Sequence, residues 1–157
     1  KADIRSWPLL GWLTACGGTL FIERTRTRDA LRVLHLVAEA LKAGEQVAVF
    51  PEGTTSEGHG VLPFHANLLQ AAIVAQAPVQ PIALRYVDAQ EPISSAAAYV
   101  GDTTLLESLW AVASTTGLTV QVSFLPSLSS ANLERRTLAA RLSADIAAQL
   151  DRMTTTA

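Results

Sequence analysis

Cysteine and charge are both scarce in this chain of 157 residues, which has one cysteine, 17% charged residues and a formal net charge of −2. One cysteine excludes an intramolecular disulfide and suits a reducing compartment. We predict that Cys16, in an apolar stretch, is a packed small residue and not a nucleophile. The slight acidity provides no global basic field, so no nucleic-acid partner is expected. An anionic substrate would need a local patch.

Long uninterrupted apolar runs are also missing. Residues 7–22 are apolar, but the stretch is shorter than the ~20 residues of a membrane span and is broken by Pro and Gly. Within it, residues 7–13 carry two Trp and read as core, or alternatively as a surface facing lipid. The chain starts at Lys1 without Met, which predicts a piece of a longer protein whose preceding part could hold a signal or anchor.

The remaining pattern alternates strands with helices. Strands are predicted at 19–23, 46–50, 79–86 and 118–125, with Pro81 marking an edge or a bulge. Helices are predicted at 28–43, 65–76 and 104–113, and a last one carries Leu138, Leu142, Ile146 and Leu150 at i+4 spacing. The fold class is therefore α/β, a mixed sheet with helices packed on it, in one domain.

The segment Phe50-Pro51-Glu52-Gly53-Thr54-Thr55-Ser56 carries the strongest functional signal. It follows the apolar run 47–49, and α/β proteins present sites where a buried strand ends. Gly53 permits a tight turn and close approach of a ligand. The three residues that follow offer hydroxyls and amides in one arc. From this chemistry alone, a ligand site and a plain polar turn remain equally open.

The segment resembles the Phe-Pro-Glu-Gly-Thr-Arg-Ser motif of the glycerolipid acyltransferases. Residues 18–24, Gly-Thr-Leu-Phe-Ile-Glu-Arg, resemble the Gly-x-x-Phe-Ile-x-Arg motif of the same family. Residues 79–83 resemble its later apolar motif around a Pro, residues 1–3 its Lys-containing stretch, and residues 99–105 a segment typical of bacterial members. The order agrees and the likeness is strongest over 1–105. Residues 1–157 are thus predicted to form an acyltransferase domain without its N-terminal part.

The resemblance implies a site for an acceptor phosphate. The permanently charged guanidinium of Arg24 would bind the phosphate through two hydrogen bonds. Without the resemblance, Arg24 would be interpreted as a solvated surface charge. Gly53, Thr54 and Ser56 would complete the cradle. Lys1 is a candidate second cation.

Three further positions concern the same site. Glu52 would support the acceptor or, alternatively, order the loop as a hydrogen-bond acceptor. Thr55 stands where the family has Arg, so one cation of the site is lost. His65 stands where a Lys is usual, and we expect its side chain to be only partly charged. Both departures suit an altered head-group preference.

The family's acid–base motif, His-x-x-x-x-Asp, is not found in the chain. The positions five after His35, His59 and His65 are Ala, Phe and Gln. His35 is predicted to lie on a helix surface. We expect the motif before Lys1, and therefore expect this chain alone to be inactive, because losing a general base costs ~10²–10⁴ in rate.

The implied function is transfer of a fatty acyl group from acyl-CoA or acyl carrier protein to a lysophospholipid such as lysophosphatidic acid, with no metal or redox cofactor. A membrane surface is an expected partner, at the cytoplasmic face of the inner membrane. The alternative is a non-catalytic module that binds lipid or an acyl carrier. A serine hydrolase using Ser56 is disfavoured, because no Gly-x-Ser-x-Gly elbow surrounds it.

Overall fold

A computed structural model describes residues 12, 16 and 27–155 of the chain. The chain divides into two compact units, Lys1–Val47 and Ala48–Ala157. Each unit is described by itself. The interpretation of 1–157 as one acyltransferase domain remains a prediction.

The first unit contains helix α1, Thr27–Lys42, as predicted. Gly44 ends it with a φ of +86°, and its amide donates to the Leu41 carbonyl at 3.1 Å. His35 is exposed, in agreement with the prediction. Cys16 is exposed too, so its predicted burial is wrong: apolar neighbours in sequence do not determine which side of a segment faces inward. The predicted strand 19–23 lies outside the described residues, as do residues 7–13 apart from exposed Trp12.

The second unit is built around two antiparallel strands, β1 at Ile82–Val87 and β2 at Thr119–Phe124. The register runs from Ile82 opposite Phe124 to Val87 opposite Thr119. Pro81 precedes β1, and an isolated bridge joins Val79 to Leu128 beyond it. Because Pro has no N–H to donate, the predicted longer strand is interrupted there, although the Pro81 carbonyl still accepts from the Leu125 amide at 3.0 Å.

One of the helices of this unit packs on the sheet. The predicted helix 65–76 forms as a 3₁₀ turn, Ala66–Leu69, followed by α2, Gln70–Ala75. Helix α3, Leu105–Ser114, begins with a capping box between Thr104 and Glu107. Helix α4, Arg135–Thr155, packs on the sheet and on the 3₁₀ turn. The core combines apolar residues of the 3₁₀ turn and of α4, namely Leu69, Leu138, Ala139 and Leu142. The α/β class is confirmed.

The predicted strand 46–50 is not formed. Residues 45–50 have no regular secondary structure, and Phe50 is 74% exposed. A strand needs a neighbour for its amides and carbonyls, and in the described part of the chain β1 and β2 pair only with each other. An apolar sequence without a partner strand therefore stays irregular.

The sheet buries one face and exposes the other. Ala83 and Arg85 of β1 are buried, and the opposite face presents large apolar side chains, namely Ile82, Leu84, Tyr86, Val120, Val122 and Phe124. Alternation along the strands produces this division. Among the residues that the structure describes, no helix has the length and apolarity to cross a membrane.

Candidate functional site

Residues 50–65, called the glycine loop here, fold back on themselves. The Gly53 amide donates to the Phe50 carbonyl at 3.1 Å, which closes a turn. The His65 amide donates to the Pro51 carbonyl at 2.8 Å and joins the two ends of the loop. The motif is thus a closed structure with a fixed shape and not an extended tail of a strand.

Glu52 braces the glycine loop from inside. Its side chain is half-buried, and Oε2 accepts from the Leu62 amide at 2.9 Å. This is the loop-ordering role that the sequence left open for Glu52. A carboxylate bound to a backbone amide makes a charge-assisted hydrogen bond, so the charge is used to hold the loop. Its contribution to an acceptor site remains a prediction.

Gly53 is the one position of the turn that needs glycine. Its φ is +69°, a region that L residues with a Cβ avoid. A Cβ there would lie 2.7 Å from Cδ2 and 3.0 Å from Nε2 of His65. The imidazole of His65 therefore lies directly against the turn, with its side chain exposed.

Two of the three hydroxyls in the predicted arc already form hydrogen bonds within the chain. The Thr55 hydroxyl donates to the Tyr99 carbonyl, and Ser56 Oγ accepts from the Gly58 amide at 3.3 Å. Thr54 is exposed. The structure therefore brings together Glu52 through Ser56 and His65. Lys1 and Arg24, the predicted phosphate cations, lie outside the described residues.

Lys and Arg are scarce in the stretch of sequence that contains the glycine loop. Between Lys42 and Arg135 the sequence contains a single Lys or Arg, namely Arg85. It lies in β1 and is 7% exposed. The sequence analysis did not select Arg85, because a single Arg in a strand is usually exposed to solvent. The available signal was that Arg85 is the single basic residue in a stretch of more than ninety residues.

Arg85 borders a small cavity beside the glycine loop. The cavity has a volume of about 70 Å³, and its lining combines polar with apolar residues, namely Ser56, Glu57, Gly58, Leu84, Arg85, Tyr86, Ile93, Ser94, Ala97 and Ala98. We call it the Arg85 cavity. A larger, shallow depression of about 480 Å³ lies along α3 and is bordered by Asp102 and Glu107. Its acidic border makes it a poor place for an anion.

A family model described as acyltransferase matches residues 1–85. The chain belongs to the acyltransferase family. The match includes the whole glycine loop and ends at Arg85. No solved structure matches the chain.

Two kinds of relative are similar over most of the chain. A 1-acyl-sn-glycerol-3-phosphate acyltransferase of Neisseria gonorrhoeae is 40% identical over 136 residues, which are 87% of this chain and 53% of that protein. A lyso-ornithine lipid O-acyltransferase of Pseudomonas aeruginosa is 37% identical over 144 residues, covering 88% of this chain and 53% of that protein. The chain thus spans about half the length of these curated relatives.

A human relative shows how far the likeness extends. The 1-acyl-sn-glycerol-3-phosphate acyltransferase alpha of Homo sapiens is 40% identical over 74 residues, which are 46% of this chain and 25% of that protein. The predicted family is therefore confirmed on both the family model and individual relatives.

Proposed function

We propose that this chain is part of an enzyme that transfers a fatty acyl group to the free hydroxyl of a lysolipid, in lipid biosynthesis. The observation that carries the proposal is the closed glycine loop within a family match over residues 1–85. Acyl-CoA or acyl carrier protein is the proposed donor, and no metal or redox cofactor is required. The cytoplasmic face of the inner membrane is the proposed location.

The general base of the reaction is proposed to lie outside the 157 residues. The chain has no His-x-x-x-x-Asp, and an acyl transfer of this kind needs a base to take the proton of the attacking hydroxyl. The residues of this chain would bind and orient the acceptor. Glu52 and Gly53 fix the loop shape, and Arg24 is the proposed phosphate ligand.

An acyl-transfer assay tests this proposal. The parent protein that contains this chain is incubated with labelled acyl donor and lysophosphatidic acid, beside the 157-residue chain alone. We expect a diacyl product from the parent only. Full turnover by the chain alone would contradict the missing base. No product from the parent with lysophosphatidic acid or with lyso-ornithine lipid would favour the non-catalytic, lipid-binding alternative.

Two acceptors are supported by the relatives, one with a phosphate head group and one with ornithine. One observation favours the second. Thr55 replaces the motif Arg, its hydroxyl is already bound to the Tyr99 carbonyl, and the glycine loop contains Glu52 and Glu57 but no Lys or Arg. An acidic loop suits a head group that carries an amine better than one with only phosphate.

The head group is tested by competition. The parent enzyme receives an equimolar mixture of lysophosphatidic acid and lyso-ornithine lipid, and the products are separated by mass. Thr55→Arg should shift the product ratio toward the phosphate lipid by about tenfold, the effect of one added charge-assisted contact. Thr54→Arg serves as the matched control, since Thr54 is the exposed neighbour. An equal shift of the product ratio in both variants would show that position 55 does not determine the head-group preference.

Arg24 is tested separately as the phosphate ligand. Arg24→Ala in the parent should raise KM for lysophosphatidic acid with a smaller effect on kcat. Arg26→Ala, which removes an arginine two positions further along the chain, is the matched control. An unchanged KM in Arg24→Ala would exclude the phosphate assignment.

A membrane surface is the proposed partner, and α3 supports it. Leu106, Leu109 and Trp110 are exposed and share one helix face by their i, i+3, i+4 spacing. Exposed apolar faces of this kind mark interaction sites, and Trp is favoured at a lipid interface. Co-sedimentation of the chain with phospholipid vesicles should fall when Leu106 and Trp110 are both replaced by Ser. The same loss with Val112→Ser would assign no special role to that face.

A further inference from the structure

Four of the five arginines in the second unit lie on helix α4. The preceding residues 48–134 contain seven acids and a single Lys or Arg, the buried Arg85. Helix α4 contains four exposed arginines and two acids. Within residues 48–155, the exposed Lys and Arg side chains are therefore confined to this helix. Positive charge gathered on one element of an otherwise acidic region indicates a surface for an acidic partner.

Three of these arginines are concentrated at the beginning of α4. Arg135 and Arg136 occupy its first turn, and Arg141 follows five positions after Arg136. The first turn contains no acid, although the helix dipole favours negative charge at this end and opposes positive charge. Helix stability therefore does not account for the two arginines of the first turn. We call the three residues the arginine patch.

The charge of the arginine patch is not used within the chain. Among the described residues, no carboxylate lies within ion-pair distance of it. Glu134, the acid next to it in the sequence, instead accepts from the Thr137 hydroxyl at 3.5 Å. By contrast, Arg152 at the far end of α4 donates to Gln149 Oε1 at 3.0 and 2.8 Å. The guanidinium groups of the patch can therefore bind carboxylates of another molecule.

Small side chains separate two arginines of the patch. Arg136 and Arg141 lie on either side of the exposed face of α4 that Thr137, Ala140 and Ala144 share by their helical spacing. This part of α4 presents no large apolar side chain to solvent, because its leucines belong to the core. A partner can approach such a face closely while a guanidinium on each side binds a carboxylate through two hydrogen bonds.

These features fit a protein partner better than a lipid surface. A helix that lies on a membrane combines basic residues with exposed Leu, Phe or Trp on its other side. Basic clusters that bind anionic lipids contain about 4–8 Lys and Arg. The arginine patch has three arginines beside Thr and Ala, and Arg is enriched in protein interfaces. An acidic protein surface is therefore the favoured partner.

We propose that the arginine patch is a docking surface for an acidic protein, and that this protein is the acyl carrier protein that delivers the acyl group. Carboxylates of the carrier would pair with Arg135, Arg136 and Arg141, and the attraction between the two surfaces would speed their association. The identity of the partner rests on the proposed function, which names acyl carrier protein and acyl-CoA as donors. The arginine patch supports the first of the two.

The test measures binding of acyl carrier protein without an acyl group to the 157-residue chain, by isothermal titration calorimetry. Binding is expected and should weaken as salt is raised. Arg141→Gln should weaken it about fivefold, the effect of one charge pair at an interface. Arg152→Gln, in the same helix, is the matched control and should leave the affinity unchanged. No binding by the unmodified chain, or an equal loss in both variants, would overturn the proposal.

A second variant, Arg135→Glu, separates docking from folding. The helix dipole favours a negative charge in the first turn of α4, so the Tm of this variant should be maintained or raised. Its affinity for the carrier should nevertheless fall more than tenfold, because an attractive contact becomes a repulsive one. Weaker binding with an undiminished Tm cannot result from unfolding. An unchanged affinity in Arg135→Glu would contradict docking at the patch.

Vesicles distinguish a protein partner from a membrane. Co-sedimentation with vesicles that contain anionic phospholipid should be the same for the unmodified chain and for Arg141→Gln. A loss of vesicle binding in Arg141→Gln, with carrier binding intact, would assign the patch to the membrane and overturn the proposal. Since the calorimetry measures no turnover, a failure of acyl transfer by the parent protein would leave the docking result unaffected. An active parent protein whose carrier binding ignores all three arginines would refute the docking surface alone.

Discussion

The glycine loop and the Arg85 cavity are neighbours that differ in whether their polar groups form hydrogen bonds within the chain. In the loop, the Glu52 carboxylate and the Thr55 hydroxyl are bound within the chain. In the cavity, Nε of Arg85 and Oγ of Ser94 are buried without partners. A region whose polar groups bond to one another has a defined shape, whereas buried polar groups without a hydrogen bond call for an explanation. The comparison separates residues that hold the loop from residues whose polar groups are not used to hold it.

The largest effect on stability is expected at Glu52. Glu52→Ala removes the acceptor of the Leu62 amide and should lower the free energy of unfolding by about 1.5–2 kcal/mol, the low end for a charge-assisted hydrogen bond, because Glu52 is only half-buried. Glu52→Gln retains a side-chain oxygen and should lose less than about 1 kcal/mol. Urea unfolding measures both. Glu57→Ala, at an exposed acid, is the control. Equal losses in Glu52→Ala and Glu57→Ala would show that the brace does not hold the loop.

Gly53→Ala should have the next largest effect. The positive φ costs about 1–2 kcal/mol with a Cβ, and the new methyl would displace the His65 imidazole, which lies 2.7 Å away. Gly101 is a matched control, because its φ is +61° and nothing lies within 4 Å of its Cβ position. Both variants should lose similar stability in urea, but only Gly53→Ala should shift the His65 ring resonances. Unshifted His65 resonances would contradict the contact.

The sequence was sufficient for those features that depend on local rules. The capping box at Thr104 and Glu107, the left-handed end of α1 at Gly44 and the break at Pro81 each follow from residues within a few positions of one another. The class α/β and the i+4 row of α4 follow from periodicity. The glycine loop was located by its motif, but its internal bonds, such as Pro51 to His65, were not predictable from spacing.

The predictions that failed concern features that depend on residues far away in the sequence. Strand 46–50 had the right composition, but a strand forms only where a neighbour receives its hydrogen bonds. Cys16 was misjudged because burial is set by tertiary packing. The pairing of Thr55 with Tyr99 joins residues 44 positions apart. Arg85 was missed because its burial is visible only when the surrounding side chains are placed.

A smaller effect tests whether the loop hydroxyls are structural. Thr55→Val removes the donor to the Tyr99 carbonyl with little change in shape, and should cost about 0.5–1.5 kcal/mol. Thr54→Val, whose hydroxyl has no hydrogen bond in the described part of the chain, should cost nothing measurable. Thermal unfolding of the two variants gives the comparison. If Thr54→Val were the more damaging, the Thr55 hydroxyl would be available to a ligand and the contrast with the cavity would weaken.

The smallest expected effect is on the pH dependence of stability. It concerns Glu107, an exposed carboxylate that is hydrogen-bonded within the capping box. The Thr104 side chain, followed by its backbone amide, lowers the pKa of Glu107 below its ordinary value of 4.5. A lowered folded-state pKa means that the stabilisation is complete above the unfolded-state pKa and is lost as pH falls through the folded value. The slope of Tm against pH below about 4.5 should therefore be slightly steeper in wild type than in Thr104→Ala. Since both groups are exposed, solvent screens the difference, and an equal slope in the two proteins would mean that the capping box acts only through its neutral hydrogen bonds.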